Sequence, residues 1–288
     1  MGAWGTKIYQ NDISSEVKDD YKNKLKAGKS DEEALNEILY EYDDCIGDSD
    51  DRYDFWFALA DTMWTLGRPT NQVKERTLEL IDMEDEEGRW ETEKERKARL
   101  KVLEDLKQKL LSEMPPRKKI PIYKPFTTPW KPGEVYVYQV KNPPIDEAYN
   151  PPKDYRHYIG WYITLYVHEI VEKHLNLPGV PDRIPCIYVM FSKEKPTSVD
   201  KLSELQFLFQ PYFTREGKRL KNYRWLLSET SLRKYPKDIE YLGICNDFIY
   251  PIDEYIEPVN VNFVFWSTIE KKAIRSYEDG LERLHEES

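Results

Sequence analysis

The sequence predicts an α+β protein of two domains: an N-terminal helical bundle, then a mostly antiparallel β-rich domain with a C-terminal helix. Three observations predict this. Apolar residues over about the first 110 positions recur three and four apart, the helical period, whereas those beyond position 133 alternate or cluster in short runs. Between them, residues 114–132 contain six prolines, which remove amide donors and hold the backbone extended. The chain of 288 residues also exceeds one average domain of roughly 100 to 150. The expected division is a helical domain over 1–114, a proline-rich linker over 115–132, and an α+β domain with a curved antiparallel sheet over 133–288.

Ile13, Val17, Tyr21 and Leu25 lie four apart and mark one face of a first helix. Asp12 is placed as its N-cap, its carboxylate accepting from the free N–H groups of the first turn, while Gly5 lets the preceding backbone bring Trp4 back against the bundle. Ser30 and Glu33 form an S-x-x-E capping box ahead of Ala34, Leu35, Ile38, Leu39 and Tyr42. A third helix runs from about Asp54 through Phe55, Trp56, Leu59, Ala60, Met63 and Trp64 to Gly67, which suits the left-handed position past a helix end. Thr70 or Asn71 caps a fourth with Val73, Thr77, Leu80 and Ile81, and Leu100, Leu103, Leu106 and Leu110 mark a fifth ending near Ser112. The charged stretch 83–96 between these two reads as an exposed, ion-paired junction.

Past the prolines, strand-like segments occupy 133–140, 158–167, 184–191, 239–250 and 259–266. In the second, Ile159, Trp161, Ile163, Leu165 and Val167 alternate with Tyr158, Tyr162, Thr164 and Tyr166, so one face is expected inside and the tyrosine face half wet. Ile269, Ala273, Ile274, Tyr277, Leu281 and Leu284 then form a helical stripe that packs on the sheet.

Composition bounds the function. Hydrophobic residues make up 40% and aromatics 14% of the chain, far from the aromatic-poor signature of disorder, so it should fold. A net charge of -10 argues against direct nucleic-acid binding, whose affinity comes mainly from Lys and Arg, and points instead to a protein partner with a basic surface. No apolar run approaches the roughly 20 residues that span a bilayer, so no membrane association is expected, and no basic-then-apolar leader is evident. Cys45, Cys186 and Cys245 are odd in number and far apart, which fits a reducing cytoplasm better than a disulfide framework.

Contiguous catalytic motifs are lacking, so no catalytic residue, metal ligand or cofactor is assigned. His168 and His174 in HEIVEKH are six apart, which on a helix turns the two imidazoles to different sides and disqualifies a zinc-protease pair. Cys186 sits in a buried-looking strand, where cysteine behaves as a small hydrophobe. WTLG at 64–67 has no second copy at the 34-residue period of a tetratricopeptide repeat. The acidic run 43–54 misplaces the glycine and the closing glutamate of a calcium loop, and reads as a solvated loop. Its Asp43, Asp44, Asp48, Asp50, Asp51 and Asp54 are the expected partner-binding patch.

The opening GAWG followed by Tyr9, Gln10, Asn11 and Asp12 resembles the bacterial GAWG...ND family of domains of unknown function, with Lys7 and Tyr9 replacing a frequent glycine and phenylalanine. The likeness extends over about the first hundred residues, through Trp56 and 64–67. It marks Trp4, Gly5, Asn11 and Asp12 as a signature, read here as structural. From PWKPGEVYVYQV onward the chain resembles β-rich domains of bacterial immunity proteins, with Glu134 in place of a common aspartate. These resemblances imply no established chemistry. They suggest a bacterial or phage accessory protein of the immunity or counter-defence kind. The leading expectation is therefore a non-enzymatic inhibitor or immunity-type binding protein. The alternatives are an enzyme with a non-contiguous pocket around His157 and His168, and a homo-oligomerising structural module.

Overall fold

The structure, a computed structural model, describes residues 4–87, 90–213, 216–254 and 262–286. The protein is α+β, and it divides into two compact units, Met1–Lys124 and Pro125–Ser288. The boundary falls inside the proline-rich stretch. Residues 115–124 are not a free linker: Lys118 N donates to Leu66 O at 3.0 Å, Tyr123 N donates to Lys26 O at 2.7 Å, and Ile120 packs on the helical core. Residues 125–132 belong in the same way to the second unit, where Phe126 N donates to buried Asp182 at 2.7 Å.

The first unit holds α1 (Asp12–Lys26), α2 (Asp31–Glu41), α3 (Asp43–Gly47), α4 (Asp51–Thr65), α5 (Asn71–Glu87) and α6 (Glu93–Leu111). Helix α4 is the axis of its core. Tyr53 through Ala60 are all buried, so α4 is enclosed on every side, as a helix apolar around its circumference must be. Onto it pack Ile13, Val17, Tyr21 and Leu25 of α1, and Leu103, Leu106 and Leu110 of α6. The Ser30–Glu33 capping box forms as expected, and Thr70 caps α5 through its hydroxyl, which accepts from Val73 N at 3.3 Å. A second capping box, Thr92 with Glu95, starts α6 seven residues before the first leucine of the expected stripe. Two expectations fail. Asp12 is not the cap of α1; Asn11 is, its side chain accepting from Ser14 N at 2.7 Å. Nor is 43–54 a loop: Cys45 and Ile46 pack on the core, and that anchorage makes 43–47 helical.

The second unit is built on one open sheet. Its strands are β1 (Glu134–Gln139), β4 (Tyr162–Leu177), β5 (Val180–Ser192), β6 (Gln206–Phe207), β9 (Arg224–Leu227), β10 (Glu240–Ile244) and β11 (Asn262–Val264). They run in the order β10-β1-β4-β5-β9-β11 with β6 also on β5, antiparallel except for β9 against β11. Two small hairpins, β2 (Ile145–Asp146) with β3 (Lys153–Asp154) and β7 (Gln210–Phe213) with β8 (Arg219–Asn222), lie outside it. Helix α7 (Trp266–Glu286) covers one face, where Ile269, Ala273 and Ile274 meet Ile163, Leu165, Val167, Ile187 and Val189. Of the expected stripe, the side chain of Leu284 lies outside the described residues, as do positions 259–261 of the last expected strand.

The opposite face is not half wet. Tyr166 and Tyr188 are buried there with Met190 and Leu202, because 199–205 and 245–250 fold over it; Phe248 meets Tyr166, and Phe207 of β6 meets Tyr188. Ile159, expected inside, stands 53% exposed beyond a short 3-10 turn at Arg156–Tyr158 that precedes β4.

Candidate functional site

The acidic segment is held out from α4 on a short scaffold. Tyr42 anchors it, with its ring 5.6 Å from Phe55 and its hydroxyl donating to Asp20 of α1 at 2.8 Å. Asp48 closes the turn between α3 and α4, its Oδ1 accepting from Asp50 N at 2.8 Å and Asp51 N at 2.9 Å. Asp43, Asp44, Asp48 and Asp50 are exposed and Asp51 is half-buried. Among the described residues Asp43, Asp44, Asp50 and Asp51 have no ion-pair partner, so their charge faces water unneutralised. The Cys45 thiol registers the resulting field: burial and then the charges of Asp51, Asp44, Asp48 and Glu16 push it above its ordinary range.

Asp54, the sixth residue of the expected patch, is not on this surface. It is 8% exposed and faces inward, with a carboxylate oxygen 3.8 Å from the buried guanidinium of Arg99. Conversely, Glu16 and Asp20 of α1 act on the same place, as the thiol of Cys45 and the hydroxyl of Tyr42 both show. Their four-residue spacing beside the buried stripe was the available signal.

Of the opening signature, Trp4 does not dock against the helical core as expected. That indole is 59% exposed, and its backbone N–H closes a loop onto Gln10 O at 3.0 Å. Ile8 and Tyr9 pack on the core instead, and the Tyr9 hydroxyl meets Asp61 at 2.8 Å and Thr62 at 2.9 Å. Arg99 adds a hydrogen bond to Thr6 O at 3.2 Å. A Cβ at Gly5 would lie 2.2 Å from the end of the Gln10 side chain, which that flexible side chain can relieve by shifting. Asn11 is buried as the cap, and Asp12 opens the helix as its first acidic residue.

In the second unit the two histidines do not converge. The His157 ring lies 4.1 Å from that of Tyr158, which in turn meets Tyr277 of α7. His168 packs against Tyr188 and Tyr250 on the opposite face, and burial lowers its pKa. The expected relation of His168 to His174 also changes: both lie on β4, not on a helix, and six residues of strand separate their Cα atoms by about 20 Å. Cys186 is buried opposite Glu169 and Leu226, and burial first, then Glu169, pushes its thiol up to about 12. At neutral pH that thiol is protonated and is no nucleophile.

No protein family, curated protein or solved structure matches the chain. What the surface can do therefore rests on its own chemistry. A group of acceptor-only side chains on a short helix and a turn, braced by an aromatic base, attracts cations from a distance and offers hydrogen bonds to Lys and Arg on contact. Among the described residues, no helix is long and apolar enough to cross a membrane.

Proposed function

We propose that this protein is a non-enzymatic binding protein of the inhibitor or immunity type, whose acidic surface in the first unit occludes a basic surface of a protein partner. The observation that carries this is the set Asp43, Asp44, Asp50 and Asp51, exposed or half-buried and without ion-pair partners among the described residues, on a scaffold fixed by Tyr42 and Asp48. A net charge of -10 extends the attraction beyond contact distance. Tyr40, 84% exposed on the adjoining helix, adds rigid contact area with few rotamers to freeze. The groups that a nucleophilic or acid–base reading would use are committed elsewhere: Cys186 is protonated in the core, and His157 and His168 face apart. The resemblance of the opening and of 129–140 to bacterial accessory and immunity domains points the same way.

The test is affinity capture from host lysate, followed by association kinetics of the captured protein. The wild type is compared with an Asp43→Asn, Asp44→Asn, Asp50→Asn, Asp51→Asn variant. Because rim charges act mainly on encounter, the variant should associate about tenfold more slowly at low salt and show a flatter salt dependence. Equal on-rates at both salt concentrations would remove the acidic surface from the interaction.

A further inference from the structure

Residues 245–254 close the tyrosine face of the second unit as a thin cover. Its inner side consists of two rings: Phe248 lies 4.8 Å from Tyr166, and Tyr250 stacks on Tyr188 at 5.0 Å. Ile249 and Ile252 turn outward, 89% and 81% exposed, and add nothing to the closure. Hydrogen bonds pin the two ends. Cys245 N donates to Gly133 O at 2.9 Å at one end. Toward the other, Pro251 O accepts from the Tyr188 hydroxyl at 3.2 Å, and the buried carboxylate of Asp253 accepts from Tyr223 N at 2.6 Å and from Arg224 N and Nε.

A histidine sits beneath this cover. The pairing of β4 with β5 runs from Val167–Ile187 to Glu169–Cys186, so His168 is left over as a β-bulge, a device that re-aims the side chain it carries. The half-buried imidazole meets Tyr250 at 4.7 Å and Tyr188 at 5.4 Å, both at a steep angle, so a ring that closes the cover also shields it from water. Burial is the largest influence on the imidazole and holds its pKa below the ordinary value; Glu169 of its own strand then raises it, Arg224 of β9 lowers it, and Asp253 of the cover raises it. Arg224 is itself shared by the two carboxylates, 3.8 Å from Glu169 and hydrogen-bonded to Asp253.

We propose that residues 245–254 are an acid-released cover, opened by protonation of the His168 imidazole beneath Tyr250. Charging the ring requires water that Tyr250 keeps out, so the open form takes up the proton more readily than the closed one. Linkage fixes the sign and the range. A basic group lowered in the closed state leaves closure intact above its open-state value of about 6.5 and weakens it as pH falls below that, by at most about tenfold for each unit of lowering. Opening uncovers the rings of Tyr166 and Tyr188. The device lies in the second unit and does not depend on the acidic surface, which lies in the first.

The test is amide hydrogen exchange on the intact chain, expressed as protection relative to the unstructured rate at each pH, so that the intrinsic pH dependence of exchange drops out. From about pH 7.5 to about pH 5, protection of residues 246–254 should fall about threefold or more while that of β5 stays constant. His168→Gln, which cannot take the proton, should abolish the fall. Constant protection in the wild type, or the same fall in His168→Gln, overturns the proposal. Tyr250→Ala supplies a measurement that does not rely on the histidine variant folding. With that ring gone, the titration midpoint of the His168 imidazole, followed by nuclear magnetic resonance of its Cε1–H, should move up toward the ordinary value. An unmoved midpoint means that the cover does not shield the imidazole, and overturns the proposal as well.

Discussion

Gly67 satisfies two demands at once. Its φ of +66° closes the end of α4, where Gly67 N donates to Trp64 O and Arg68 N donates to Met63 O, the paired bonds of a Schellman cap. A Cβ at this position would also lie 2.6 Å from Pro115 O and 2.8 Å from the Arg117 Cα. Gly67→Ala should therefore cost more than the roughly 1 kcal/mol of a left-handed alanine, about 2 kcal/mol or above, since backbone atoms must move. Thermal denaturation followed by circular dichroism reads this, and a loss within 1 kcal/mol would mean that 115–117 yields freely. At the start of α1, Asn11→Ala should cost about 1 kcal/mol through the lost cap, while Asp12→Ala should cost only a few tenths through the helix dipole. Equal costs would return the capping role to Asp12. Gly67 was legible in the sequence because a left-handed residue past a helix end is a local requirement. Asn11 against Asp12 was not, since adjacent residues both suit a cap and the start of the helix decides. Trp4 was misplaced for a deeper reason: hydrophobicity says that an indole gains by burial, but not whether the fold leaves room for it.

The longest element, the β4–β5 hairpin, shows what periodicity alone leaves out. Its outer half carries HEIVEKH, whose charged and apolar residues fit either period, and its turn is Pro178–Gly179 with Gly179 at a φ of +76°. That Pro-Gly pair was the signal for a hairpin. The buried tyrosine face had no such signal, because the segments that cover it, a short 3-10 helix at Val199–Glu204 and the irregular 245–250, are too short to carry a period. A second pair of elements is joined by charge. Asp146 of β2 is fully buried, and it receives Lys271 Nζ at 2.9 Å and Arg275 Nε at 2.8 Å from α7. Burial pushes its carboxyl up, but Arg275 and Lys271 outweigh this and hold it well below the usual carboxylate range. A carboxyl depressed in the folded state stabilises the fold fully above its unfolded value of about 4 and loses that contribution as pH falls below it. The stability gap between wild type and Asp146→Asn, measured by denaturant titration, should thus be widest at neutral pH and shrink between about pH 4 and 2. A gap independent of pH would mean that Asp146 serves by shape and not by charge.

At the scale of the whole chain, the prolines mark a division, but not a linker. Composition identifies 115–132 as extended, and extension is compatible either with a free tether or with a strap lying on a folded surface. The two differ only in tertiary hydrogen bonds. Here 115–124 is a strap: Lys118 N bonds to Leu66 O, Arg68 Nη2 to Lys118 O at 3.0 Å, Arg117 pairs with Asp31 at 2.8 Å, and Tyr123 N bonds to Lys26 O. These contacts join the end of α4, the start of α2 and the end of α1, so they brace helix termini that otherwise end in water. The first unit encloses its own core around α4, and a fragment of residues 1–124 should therefore melt cooperatively. A fragment of residues 1–114 forfeits the strap, leaving the Leu66 and Lys26 carbonyls and the Asp31 carboxylate without these partners. At roughly 0.5–1.5 kcal/mol for each hydrogen bond, the loss amounts to a few kcal/mol, a lowering of Tm by about 10 °C or more for a domain of this size. Melting both fragments under identical conditions checks this. Coincident transitions would make 115–124 the tether that its composition suggests, and would move the edge of the first folding unit back to Met114.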